Sequence, residues 1–99
     1  MSDALPVTDN QAKSRFEISD GGYLAELRYH LSGKRLALIH TEVPEELEGR
    51  GIGGVLVTAA VDRAAREDLT IVPYCPFARR WLQRNSDVAE RAAIDWQAI

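Results

Sequence analysis

Four glycines within six residues, Gly49, Gly51, Gly53 and Gly54, stand where the hydrophobic rhythm of the chain changes. Upstream, Tyr23, Ala25, Leu27, Tyr29 and Leu31 alternate with Glu26, Arg28 and His30, the period of a half-buried strand. Downstream, Ile52, Val55, Leu56, Ala59 and Ala60 recur at the spacing of an amphipathic helix. Glycines at a helix start leave its unpaired N–H groups and positive dipole end open to close approach by an anion. The local inference is a phosphate-binding loop; a loop that only reverses the chain is the plainer alternative. The same order constrains the fold. Leu69, Thr70, Ile71 and Val72 form a β-branched run after the helix, so strand, helix and strand close a parallel βαβ unit, normally right-handed.

The remaining segments extend this frame. Residues 15–19 alternate as a short strand, and Asp20-Gly21-Gly22 turns the chain into the strand at 23–31. Ser32-Gly33-Lys34 turns it again into a third strand over 35–43. That strand is more continuously apolar and is expected to be buried on both faces. Pro44 ends it, and residues 44–48 make an acidic loop. Pro76 opens a second helix with Phe77/Trp81 and Ala78/Leu82 four apart and Asn85 as its C-terminal cap. Ser86 caps a last helix with Val88, Ala92 and Trp96 on one stripe. Residues 1–12 read as a loose tail, and 13–99 as one domain. The fold class is α+β: an antiparallel three-strand meander followed by a parallel βαβ unit in a mixed sheet.

Composition narrows the function. At 99 residues one domain is the natural count, and two-half dinucleotide folds and TIM barrels are too large. Fifteen acids against twelve bases give a net charge of −3, the wrong sign for a dedicated nucleic-acid binder. A single cysteine, Cys75, allows no internal disulfide, and no Cys/His cluster suggests a metal. No basic start followed by an apolar run marks a leader, and no apolar stretch approaches the ~18 residues of a membrane span. A cytoplasmic protein without a membrane partner is expected.

The phosphate ligand is constrained by what flanks the glycines. A nucleotide triphosphate loop needs Lys and then Ser or Thr, where Val55 and Leu56 stand. Gly49, Gly51 and Gly54 match GxGxxG, and Asp68 lies near the acidic spacing of a dinucleotide fold. In that fold, however, the strand runs almost directly into the first glycine, whereas residues 44–48 intervene here. A dinucleotide-dependent enzyme is thus the lesser alternative.

The run Val43-Pro44…Gly49-Arg50-Gly51-Ile52-Gly53 resembles the acetyl-CoA signature of the GNAT superfamily of N-acetyltransferases, with Glu48 where Gln or Arg is usual. His40-Thr41-Glu42-Val43-Pro44 and Pro73-Tyr74-Cys75-Pro76-Phe77 extend the resemblance to a short single-domain GNAT-like family, over roughly residues 14–85. The resemblance implies that strands 35–43 and 69–73 splay and that acetyl-CoA inserts between them. It implies pantetheine pairing with backbone near Thr41 and Val43, and pyrophosphate on the amides of Gly49, Arg50, Gly51, Ile52, Gly53 and Gly54. Arg50 would add a charge contact. Arg79 or Arg80 would reach the CoA 3′-phosphate; a solvated helix face is the alternative for both.

Acetyl transfer needs a neutral amine, a stabilised oxyanion and a proton for the departing thiolate. Cys75 precedes a Pro-started helix, where a thiolate is favoured. It is a candidate relay nucleophile or acid for the CoA sulfur; a small buried apolar residue is the alternative. His40 and Glu42, two apart on a strand, share a face. Either is a candidate base, the imidazole titrating nearest neutrality; a structural histidine and a loop-fixing glutamate are the alternatives. The expected function is acetyl-CoA-dependent N-acetyl transfer to an amine acceptor, by a chain expected to be monomeric. A non-catalytic acyl-CoA-binding or interaction module is the rival. So little chain lies outside the cofactor scaffold that an open acceptor site is expected, suited to an exposed amine on a macromolecule or a polyamine-like molecule.

Overall fold

A computed structural model describes residues 6–97. Six strands form one sheet in chain order: β1 (Thr8–Asn10), β2 (Arg15–Asp20), β3 (Tyr23–Ser32), β4 (Arg35–Glu42), β5 (Thr70–Pro73) and β6 (Ala93–Ile94). β1 to β4 pair antiparallel, then β4–β5 and β5–β6 pair parallel. Helix α1 (Ile52–Glu67) makes the first crossover; α2 (Pro76–Arg84) and α3 (Ser86–Ala89) make the second. The mixed α+β sheet expected from the sequence is present, with its meander extended by one strand.

That strand is Thr8–Asn10, part of the segment read as a tail. β1 pairs with β2 from Thr8↔Glu17 to Asn10↔Arg15. A buried polar knot holds it. Tyr29 Oη donates to Asp9 at 2.6 Å, and Arg63 from α1 donates to Asp9 at 3.0 Å and to Tyr29 Oη at 3.0 Å. Arg63 is 4% exposed and also meets Glu67 at 3.2 Å. A buried guanidinium demands such partners, because leaving a charge unpaired away from water is costly. Periodicity could not reveal the strand: three residues carry no readable alternation.

The core lies on one face of the sheet. Phe16 and Ile18 from β2, Ala25, Leu27 and Tyr29 from β3, and Leu36 and Leu38 from β4 pack beneath α1 and α2. α1 contributes Ile52, Leu56, Val57, Ala60, Val61 and Ala64. β4 was expected to be buried on both faces; Leu36 and Leu38 are buried while Ile39 is 46% exposed. The described helices leave the other face of β4 largely uncovered, so burial alternates. That face carries a charge ladder instead: Glu26 accepts from Arg15 at 3.0 Å and from Arg28 at 3.1 Å. Arg15 also pairs with Glu17, holding that carboxyl below its ordinary range.

The C-terminal helix is shorter than its stripe implied. α3 ends at Ala89, and Ala93–Ile94 join the sheet edge. Asp95 N–H donates to Ile71 O at 2.9 Å, and Arg35 reaches Asp95 at 2.8 Å. Edge pairing and this ion pair draw Ala92 and Trp96 away from a helical course.

Candidate functional site

The register of β4 builds the site. Arg28 pairs with His40 while the next residue, Tyr29, pairs with Leu38, so Ile39 is an extra residue in β4. A bulge of this kind reverses which face the following side chains meet. Leu38 faces the helices; beyond the bulge it is Thr41, not His40, that does so. Pairing of β4 with β5 ends at Leu38↔Pro73, and Cys75 N–H donates to Leu38 O at 2.8 Å. The chain then turns into α2, and the two strands part. This is the splay expected of 35–43 and 69–73.

At the fork Thr41 Oγ1 lies 3.2 Å from Cys75 Sγ. Cys75 is 2% exposed and is the N-cap residue of α2, with Pro76 opening the helix. His40 Nε2 and Glu42 Oε1 are 3.4 Å apart on the opposite, open face, both largely exposed. The fold therefore unites Thr41 with Cys75 and His40 with Glu42, but puts the pairs on opposite sides of β4. Tyr74, beside Cys75, is 51% exposed.

The glycine loop divides by cause. Gly49 at φ +82° and Gly51 at φ +71° occupy left-handed backbone that side chains rarely tolerate. Gly53 and Gly54 lie inside α1, and their bareness serves packing. A Cβ on Gly53 would come within 2.6 Å of the Phe77 ring, and one on Gly54 within 2.5 Å of the Trp81 indole. α1 begins with no side-chain cap and no acid in its first turn, so its amide end has no carboxylate of its own. A cavity of about 300 Å³ opens over it, lined by Val43, Glu48, Gly51, Gly53, Phe77 and Trp81 among others.

Ile52 is buried and pins the loop to the core. Arg50 pairs with Asp20 at 2.6 Å. Arg79 donates to Trp96 O at 2.5 Å and lies over the Trp96 ring, whereas Arg80 is exposed. Arg79 thus fastens the C-terminal segment through one nitrogen while its buried Nη1 has no hydrogen-bond partner among the described residues, and Arg80 is the more exposed cation. Phe77 and Trp81, whose helical spacing would equally suit a core, form cavity wall; Phe77 is 38% exposed. Their four-residue spacing suits either role, and only the facing glycines distinguish them. No cluster of three metal-ligating side chains occurs among the described residues. No helix among them is long and apolar enough to cross a membrane.

A family model for the GCN5-related N-acetyl-transferase matches residues 15–91. The chain belongs to this family. It is similar to Protein NATD1 of Gallus gallus and of Homo sapiens, 40% identical over 62 residues, which is 62% of this chain and 56% and 55% of those proteins. The match thus spans little more than half the length of these relatives. Protein NATD1 of Xenopus tropicalis is 32% identical over 87 residues, covering 85% of this chain and 80% of that one. A solution structure of a GCN5-like protein from Staphylococcus aureus superposes with a TM-score of 0.70 at 26% identity, covering 97% of this chain and 96% of its own. The course of the whole sheet and its helices is thus shared with that solved structure.

Proposed function

We propose that this domain transfers an acetyl group from acetyl-CoA to an exposed amine. The observation that supports the reading is the cavity over the uncapped amide end of α1, whose wall residues Val43 and Phe77 each stand two residues from the Thr41–Cys75 fork. The pyrophosphate would take the amides of residues 49–54, the pantetheine would run past Val43 and Thr41, and Arg80 would meet the 3′-phosphate. A neutral amine then attacks the thioester carbon, the C–S bond breaks, and the CoA thiolate takes up a proton. Cys75 is the group at the fork suited to give that proton, or to carry the acetyl as a thioester in a relay. His40 and Glu42 lie across β4 from the fork, so the proton lost by the amine would reach them only through water at the end of the strand.

The acceptor is an exposed amine on a larger molecule or a polyamine-like one, because little of the chain lies outside the sheet and its helices to wall in an acceptor pocket. The test is calorimetric titration with acetyl-CoA followed by a screen of amines. Saturable binding with CoA release on amine addition supports the reading. A non-catalytic CoA-binding module is the second reading, and one observation favours it: Cys75 and the His40–Glu42 pair lie on opposite sides of β4. Tight binding with no acetyl transfer to any amine would establish that reading instead.

A further inference from the structure

A loop that relies on left-handed glycines at 49 and 51 is weakly restrained by its own backbone, because glycine loses the most conformational freedom on ordering. Leu47 and Ile52 anchor its ends in the core, at 2% and 3% exposure. Residues 48–51 between these anchors are all exposed. Into this interval the structure sets one long-range tether. Arg50 donates to Asp20 at 2.6 Å, across 30 residues of chain. Asp20 is a firm post for it: it closes β2 and pairs with Tyr23 across the turn in the antiparallel ladder.

We propose that Asp20 is a positioning residue for the cofactor loop. By holding Arg50 it fixes the backbone between Gly49 and Gly51, and so presets the amides at the start of α1 for an anionic ligand. Asp20 itself touches no ligand. This inference rests on the acetyl-CoA reading and adds a residue that no signature of the loop contains. A preset loop binds more tightly than one that must order on binding, since the ordering cost falls outside the binding step.

The sign of the effect makes the idea testable. Asp20 carries a negative charge beside the site proposed for a polyanion. Removing that charge should strengthen CoA binding by simple Coulomb attraction, and would also free Arg50 for a phosphate. Positioning demands the opposite. Both partners are more than 40% exposed, so the effect is modest: Asp20→Asn is expected to raise the Kd for CoA about two- to fivefold, to raise KM for acetyl-CoA in parallel, and to leave kcat within about twofold. Asp20→Glu, which keeps the charge and the reach, is expected to restore wild-type Kd. Amide hydrogen exchange over residues 48–54 in the unliganded protein is expected to quicken in Asp20→Asn and not in Asp20→Glu. That readout depends neither on CoA nor on turnover. Unchanged or tighter CoA binding by Asp20→Asn, with wild-type exchange in the loop, would overturn the inference alone. Failure of the wild-type protein to bind CoA at all would overturn the acetyl-CoA reading, and this inference with it.

Discussion

The chemistry proposed for this chain centres on Cys75, one buried sulfur 3.2 Å from a hydroxyl. Cys75→Ala removes the sulfur and little volume. It is expected to keep the Kd for CoA within about threefold while lowering acetyl transfer by about 100-fold or more, a loss typical for a proton-transfer group. Equal turnover in wild type and variant would remove Cys75 from the mechanism. The glycines ask a different question. Gly54 faces the Trp81 indole at a distance no real Cβ could share, and Trp81 is half-buried against the core. Gly54→Ala is expected to cost about 1–3 kcal/mol through overpacking, outweighing the better helix propensity of alanine. Gly53→Ala meets only the far end of the more exposed Phe77 ring, which can swing outward. It is expected to hold the melting temperature near wild type and to weaken CoA binding by narrowing the cavity. The sequence shows four glycines in a row of six positions, but not that they serve two purposes. That division depends on which ring faces which α-carbon across two helices.

Among elements, β1 departs most from what the sequence discloses. Thr8–Asn10 is too short to signal a strand, and its place is set by Asp9 together with Tyr29 and Arg63, which lie 20 and 54 residues from Asp9 along the chain. Asp9→Ala leaves the buried Arg63 and the Tyr29 hydroxyl without their shared acceptor. A loss of about 2–4 kcal/mol in chemical denaturation is expected. The same knot sets an alkaline limit. Burial, reinforced by the Asp9 carboxylate, pushes the Tyr29 phenol up to about 12 from its ordinary 10. Its neutral form is therefore favoured in the folded state. Stability is full below about pH 10 and falls as pH rises towards 12, by about 2–3 kcal/mol from this group. Tyr29→Phe is expected to flatten that part of the stability profile. β4 illustrates the other limit of sequence reading. Its strand character is plain in the alternation and its end is marked by Pro44, yet one extra residue at Ile39 decides that Thr41 and not His40 meets Cys75. The bulge exists only in the register of β4 against β3, which no single strand encodes.

At the scale of the molecule, one helical layer covers one face of the sheet, and the cleft proposed for acetyl-CoA lies where two parallel strands part. Ligand binding to the folded state alone raises stability by mass action. Acetyl-CoA at about 100 times its Kd is expected to add about 2.7 kcal/mol, a rise in melting temperature of about 10 °C or more for a domain of this size. NAD at the same concentration is expected to leave the melting curve in place. A shift with NAD and none with acetyl-CoA would return the glycine loop to the dinucleotide reading.

The sequence by itself determined the fold class, the order of strands and helices from residue 15 to the end of α2, and the glycine loop at the first crossover. Each of these follows from local rules: period-two or helical spacing, proline and glycine punctuation, and the chirality of a βαβ unit. The tertiary structure alone decided the rest. It drew Thr8–Asn10 and Ala93–Ile94 into the sheet, divided the glycines between backbone freedom and close packing, committed Arg79 to Trp96, and separated His40 from Cys75 across β4. These outcomes rest on contacts between residues far apart in the chain. Such contacts exist only once packing has chosen which side chain faces which, and the alternation of a short strand or the spacing of a short helix does not carry that choice.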